Sequence, residues 1–409
     1  MPRLTVLLAV ALAAAPVAGQ DLVIVNASVV DVDDGAIRRD ATVRIREGRI
    51  ASIEPGGGEA GSGAVIDLHG RYLVPGLIDA HVHIGSEEQA RRALQSGVTT
   101  VRSAGVSHYV DVGMRELQRR GALEIPEMRA TGYHVRPDPA PGLFLDHPDL
   151  APFMADGIRG ADAIRAMGRA MLDRGVDFLK VNATERAGVP STDPRKQLYS
   201  EAELKALVEV GAERGIGVMA HAHGDGGGRA AVAAGVRSIE HGTYLSPETL
   251  AMMAERGTYL VPTIAIVRDL TIPGGDYDNA ALAIRGRHML PRVQEMARNA
   301  HRVGVRIVAA TDTGYGAEST TTLAHELLEL VGVGLTPAEA LRAATTTAAE
   351  LLGVDDHTGR IAQGLQADLI VLERDPLADI GAVQDVLMVV SDGRVVVRRG
   401  DWIGDRPVS

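Results

Sequence analysis

Apolar positions fall into three textures along this chain. From Asp21 to about Val74 they form short strand-length runs: Leu22-Val23-Ile24-Val25, Ala27-Ser28-Val29-Val30, Thr42-Val43-Arg44-Ile45 and Ile50-Ala51-Ser52-Ile53. Gly35, Gly48 and the Gly56-Gly57-Gly58 cluster punctuate them. From about Gly359 the same texture returns in Asp368-Leu369-Ile370-Val371-Leu372, Val386-Leu387-Met388-Val389-Val390 and Val395-Val396-Val397. Between these ends, strand-like runs alternate with helix-like ones. The strands expected are Leu73 to Ala80, Val98 to Ser103, Met128 to Tyr133, Asp177 to Val181, Ile216 to Ala220, Val236 to Glu240, Thr258 to Thr263 and Val305 to Thr311. Helical periodicity is clearest over Ala161 to Arg174 and Glu201 to Arg214, where Ser200 and Glu203 make a capping box.

Eight strand–helix units predict a (β/α)8 barrel over residues 76–354, with a doubly wound open sheet as the competing topology. Two β-rich ends around an α/β middle predict one small β-sandwich built from residues 20–75 and 355–409, because chain ends commonly lie close together. The length of 409 residues accommodates both. A composition of 45% hydrophobic residues with 47 glycines and 3% aromatics suits tightly packed α/β layers rather than disorder or a repeat array.

The first 19 residues change the expected address. Arg3 precedes an apolar run from Leu4 to Ala15, then Pro16-Val17-Ala18-Gly19 and the polar Gln20-Asp21, the pattern of a secretory signal cleaved near Gly19. The mature chain is expected to be exported, periplasmic or secreted, with no membrane attachment once the leader is gone. The formal charge of −11, one unit more negative without Arg3, and the lack of a basic run argue against nucleic acid and anionic membranes as partners. With no cysteine, a disulfide framework is excluded and any metal must be held by histidines and carboxylates.

Polar residues punctuate the ends of the expected strands with a regularity that a core does not explain. The first ends in His81 and His83; in a strand, positions i and i+2 face the same side, so both imidazoles can grip one cation. Taken alone, the pair fits a solvent-facing strand equally well. The fourth strand ends in Lys180, the fifth in His221, the sixth in His241 and the eighth in Asp312. In a barrel these strand ends share one mouth. Lys180 lies in the mostly apolar Asp177-Phe178-Leu179-Lys180-Val181, where burial favours a neutral amine able to take up carbon dioxide as a carbamate.

The segments Val74 to His83, Phe178-Leu179-Lys180-Val181, Ala220-His221-Ala222-His223-Gly224, Ser238-Ile239-Glu240-His241-Gly242 and Ala310-Thr311-Asp312-Thr313 resemble the amidohydrolase superfamily. Within it they are most similar to the imidazolonepropionase-like group that includes Xaa-Pro dipeptidases, related metallo-carboxypeptidases and ochratoxin-hydrolysing amidases. The resemblance extends to Gly359-Arg360-Ile361-Ala362 and Ala367-Asp368-Leu369. It implies two divalent metal ions, most consistent with zinc. His81, His83 and Asp312 would hold the more buried one, His221 and His241 the second, and carboxylated Lys180 would bridge them. It also implies that Asp312 takes the proton of the attacking hydroxide and passes it to the leaving nitrogen.

His134 matches a family position for a histidine that polarises the substrate carbonyl, although Tyr133 and Val135 replace the usual small neighbours. His223 is a substrate contact, an alternative ligand or an exposed loop histidine. Tyr244 and Tyr315 are candidate pocket residues; His69, His108, His147, His288, His301, His325 and His357 are read as structural or surface. The expected activity is hydrolysis of an amide or peptide bond next to a C-terminal amino acid, in dipeptides or N-acyl amino acids and extending to ochratoxin-type amides, by a homo-oligomer. The competing readings are a mononuclear cyclic-amide hydrolase or deaminase, and an exported binder of small molecules that has lost catalysis.

Overall fold

The computed structural model describes residues 21–56 and 63–400. The expected leader, residues 1–19, lies outside them, as do small parts of both expected end segments. The fold is mixed α/β. Its first five strands are β1 (Leu22–Val30), β2 (Ile37–Arg46), β3 (Arg49–Pro55), β4 (Ala64–Asp67) and β5 (Tyr72–Pro75). Next come β6 (Leu77–Val82), β7 (Val98–Ser103), β8 (Glu127–Arg129), β9 (His134–Val135), β10 (Leu179–Asn182), β11 (Val218–Gly224), β12 (Ser238–Tyr244) and β13 (Tyr259–Val261). The chain closes with β14 (Leu369–Leu372), β15 (Val386–Ser391) and β16 (Arg394–Arg398).

The two chain ends meet in one eight-stranded sheet of order β16-β15-β14-β5-β1-β2-β3, with β4 also on β1. The antiparallel β5–β14 pair, Leu369 opposite Pro75, is the seam between them. Alternate residues of these strands, among them Ile24, Val43, Ile45, Leu73, Leu369 and Val371, form a core of their own.

The run Leu73 to Ala80, expected as one strand, is two. Gly76 breaks it: a Cβ there would stand 2.2 Å from Thr99 Oγ1, so the chain leaves the terminal sheet as β5 and enters the parallel layer as β6 where only glycine fits. The parallel strands run β6-β7-β8 and β9-β10-β11-β12-β13. β6, β7 and β11 are buried along their whole length, as parallel strands covered on both faces must be. The third expected strand is likewise interrupted between β8 and β9. The amides of Asp177 and Phe178 donate to Ala130 O across the break.

The eighth expected strand, Val305 to Thr311, carries no regular ladder. It makes isolated parallel bridges, Leu260 with Ile307 and Val82 with Thr313, and backbone hydrogen bonds from Asp312 N to His81 O and from His83 N to Thr313 O. Residues 305–313 therefore lie between β13 and β6. The helix Gly160–Asp173 follows β9, and the helix Glu201–Ala212, with its Ser200/Glu203 capping box, follows β10. Among the described residues no helix is long and apolar enough to cross a membrane.

Candidate metal centre

The carboxyl ends of the parallel strands bring together every candidate ligand. His81 Nε2 and His83 Nε2 lie 3.2 and 3.1 Å from the same atom, Asp312 Oδ1. Ligand atoms of His221, His223 and His241 form a second group, all within 4.8 Å of one another. The buried His81 and His241 rings join the two groups, with centroids 5.1 Å apart. Lys180 is buried beside them, its Nζ 3.5 Å from His81 Nε2.

Hydrogen bonds fix which nitrogen of each ring faces the centre. Nδ1 of His81 donates to Glu240 Oε2 at 2.6 Å and Nδ1 of His83 to Gly105 O at 3.0 Å, so each turns Nε2 inward. Nδ1 of His223 meets Thr243 Oγ1 at 2.9 Å, and Nδ1 of His241 meets Thr263 Oγ1 at 2.7 Å. His221 is the reverse case: its Nε2 donates to Glu185 O at 3.2 Å, leaving Nδ1 free. One ring nitrogen held by protein and the other presented as a lone pair is what a metal-ligating histidine requires.

Charge state agrees with that reading. Burial pulls His221 and His241 well below the ordinary histidine value and, against the charge of Asp312, His223 down to about 3, so these rings are neutral. Asp312 stays ionised: burial alone would raise its pKa, but His81 and His83 hold it well below the usual carboxylate range. Burial also lowers Lys180 to about 8, against the opposing pull of Glu240 and Asp312. His241 and Asp312 both have left-handed backbones, φ +75° and +58°, a conformation that costs energy in a residue with a Cβ and collects at functional sites. The donor set of imidazole and carboxylate, in two convergent groups, fits divalent cations of the zinc type.

Several residues that hold this arrangement carry no motif. Glu240 is gripped by Arg102, whose Nη2 is 3.0 and 3.1 Å from its two oxygens, and Arg102 also donates to Ala80 O and Ser238 Oγ. Both side chains of this pair are fully buried. Asp79 accepts from His81 N, from Thr311 N and Oγ1, and from the Tyr315 hydroxyl, tying β6 to the Asp312 segment. Burial raises its pKa to about 6. Gly105 leaves room for a neighbour: a Cβ there would stand 1.9 Å from the His134 ring. The signal for Asp79, Arg102 and Glu240 was a charge inside a buried strand, which demands a partner.

The remaining candidates divide. His223 is buried, which removes the exposed-loop reading. His134 stacks with His83 at 5.7 Å between ring centroids and contacts Asn182 Oδ1 through Nδ1 at 3.2 Å. Tyr315 is not a pocket residue; it is buried, with its hydroxyl spent on Asp79. Tyr244 packs beside His288. Tyr277, which the sequence did not single out, lines the cavity of about 510 Å³ over the metal-binding groups, with Ile266, Val267 and Leu270. The charge of Asp312 and burial push its hydroxyl up to about 12.

Comparison with known proteins agrees with this geometry. The amidohydrolase family model matches residues 72–396. Ochratoxinase from Aspergillus niger is 28% identical over 358 residues, 76% of this chain and 72% of that protein. A Xaa-Pro dipeptidase crystallised with methionine in its active site superposes with a TM-score of 0.80 at 25% identity, covering 92% of this chain and 99% of the other. A putative prolidase from Bifidobacterium longum gives a TM-score of 0.81 at 28% identity, with 94% and 96% covered. The chain therefore belongs to the amidohydrolase family, hydrolases that act on C–N bonds.

Proposed function

We propose that this chain is an exported binuclear zinc amidase that cleaves the bond between an acyl group and a C-terminal amino acid. Dipeptides and N-acyl amino acids are its substrates, and ochratoxin-type amides fall within its range. The observation that carries the reading is the pair of convergent ligand groups, His81/His83/Asp312 and His221/His241 beside His223, with buried Lys180 next to His81. The circuit of parallel strands that positions them is read as a (β/α)8 barrel, and the sheet from the two chain ends as its accessory β-sandwich. Export rests on the leader pattern of residues 1–19.

His81, His83 and Asp312 would hold one cation and His221 and His241 the other. A carbamate on Lys180, formed when its neutral amine attacks carbon dioxide and loses a proton to solvent, would supply further oxygen ligands. Cations bound there would supply Lewis acidity toward a carbonyl and a water. The protein's own part is positional and acid–base. Asp312, ionised and at the centre, takes the proton of the attacking water and delivers it to the leaving nitrogen. Neutral His134 faces the carbonyl oxygen; donating to it from Nε2 requires the Asn182 amide turned so that its NH2 group meets Nδ1. His223, neutral and with Nδ1 engaged by Thr243, presents Nε2 toward the substrate.

Elemental analysis of purified protein, together with a panel of dipeptides and N-acyl amino acids, tests the proposal. About two metals per chain and turnover of the panel are expected. One metal in fully active protein selects the mononuclear cyclic-amide hydrolase, and metal without turnover of any amide selects the binder.

A further inference from the structure

The cavity over the metal-binding groups has a second lobe. Beyond His83 and His134 lies a space of about 520 Å³ whose lining includes Gly105, Val106, Ser107, Arg136 and Arg186. His83, His134 and Arg186 border both spaces, so the two adjoin at that waist. The first lobe is lined on its outer side by Ile266, Val267, Leu270 and Tyr277 and is apolar there; the second is cationic.

Among the described residues no ion pair neutralises the second lobe. Among the described residues neither Arg136 nor Arg186 has a carboxylate within ion-pair distance, and the acids next to them in sequence are spent elsewhere. Glu185 pairs with Lys196 at 2.7 Å, and Asp138 pairs with Arg159 at 3.4 Å. Arg136 is partly buried, and burial and the charge of Arg186 lower its pKa against the weaker opposing charge of Asp138. Two guanidiniums brought together at the edge of a catalytic cavity, short of counter-charge, cost energy that an anionic ligand returns.

We propose that Arg136 and Arg186 form the subsite that receives the carboxylate of the substrate's amino-acid half, with the acyl side chain in the Ile266/Val267/Leu270 lobe. The inference rests on the amidase reading above and assigns residues to its specificity. An α-carboxylate lies within a few ångströms of the scissile carbonyl, about the ~3.8 Å that separates consecutive Cα atoms, so its subsite must border the metal-binding groups, and Arg186 lines the same cavity as they do. Arg186, at the waist, stands nearest the metal-binding groups; its charge acts on Lys180 and His221 as well as on His134. A planar fork of donors suits a carboxylate, so lysine is a poor replacement.

The experiment compares N-acetyl-L-leucine with its carboxamide, N-acetyl-L-leucinamide, on zinc-loaded wild type, Arg136→Gln, Arg186→Gln and Arg186→Lys, by calorimetric binding and by turnover. Wild type should bind and cleave the acid at least about tenfold better than the amide. Each glutamine variant should lose about 10- to 100-fold more in kcat/KM on the acid than on the amide, mainly through KM, with Arg186→Lys in between. Equal losses on both compounds, or no loss, overturn the subsite even if the enzyme is active. Arginine-dependent binding of the acid without turnover supports the subsite and counts instead against the amidase reading.

Discussion

Oε2 of Glu240 lies 2.6 Å from Nδ1 of His81, and both side chains are fully buried. The contact runs from β12 to β6 and fixes the tautomer and angle of a proposed ligand. Arg102 completes it by neutralising Glu240, whose pKa falls to about 2 against the opposing effect of burial. The arrangement is a carboxylate behind a histidine, and such partners are typically worth 10- to 100-fold in metal affinity.

Glu240→Gln should therefore lower zinc affinity about 10- to 100-fold while the chain still folds. Competition with a chromophoric chelator measures it, with circular dichroism as the fold control. Arg102→Met is the harsher change, because it leaves Glu240 ionised, buried and without its cation; about 3–5 kcal/mol of stability should be lost. An unchanged zinc affinity in Glu240→Gln would show that the hydrogen bond serves packing alone.

Lys180→Ala should lose both metal and activity if the buried lysine carries a carbamate. Acetate or propionate added with zinc should restore part of each, because a short carboxylate occupies the vacated space and offers two oxygens. Unaltered activity in the variant would make Lys180 a structural amine.

A pH-dependent contact lies away from the site. Nε2 of His357 is 3.0 Å from Glu127 Oε2 on β8, and Nδ1 is 2.6 Å from Asp356 Oδ1. The hydrogen bond to Glu127, more than the one to Asp356, raises the imidazole to about 9, burial opposing. A histidine whose folded pKa exceeds its unfolded value of about 6.5 contributes stability that is complete below that value and lost as pH rises through the folded pKa. The melting-temperature gap between wild type and His357→Gln should be widest at or below about pH 6.5 and close above about pH 9. A gap that does not vary with pH would mean that neutral packing supplies the effect.

The six proposed ligands were legible because each is a polar residue at the end of an apolar run, and strand periodicity alone places His81 beside His83. What escaped the sequence depends on long-range pairing. Arg102 and Glu240 are 138 positions apart, and only the fold reveals that the two charges cancel. Strand boundaries failed where backbone geometry overrides side-chain pattern. Gly76 splits one apolar run between two sheets, and residues 307–313 meet β13 and β6 through isolated bridges at Ile307 and Thr313 rather than a ladder. His134 was found by position, but its room to sit there comes from Gly105, a relation no periodicity encodes.

Asp312 is where metal binding and proton transfer must be separated. Its Oδ1 meets both His81 and His83, so removing the side chain would destroy the site without identifying a role. Asp312→Asn keeps a ligating oxygen but cannot carry the proton. If Asp312 is the shuttle, kcat should fall by about 10²- to 10⁴-fold, the range of positioned acid–base catalysis, with KM near its original value. Metal content must be confirmed in the variant first, because the amide is a weaker ligand than a carboxylate and lost zinc would mimic lost proton transfer. A fully loaded Asp312→Asn protein that retains kcat within about threefold would fall far short of that contribution. The shuttle would then pass to His134 or His223, the two neutral imidazoles left facing the cavity.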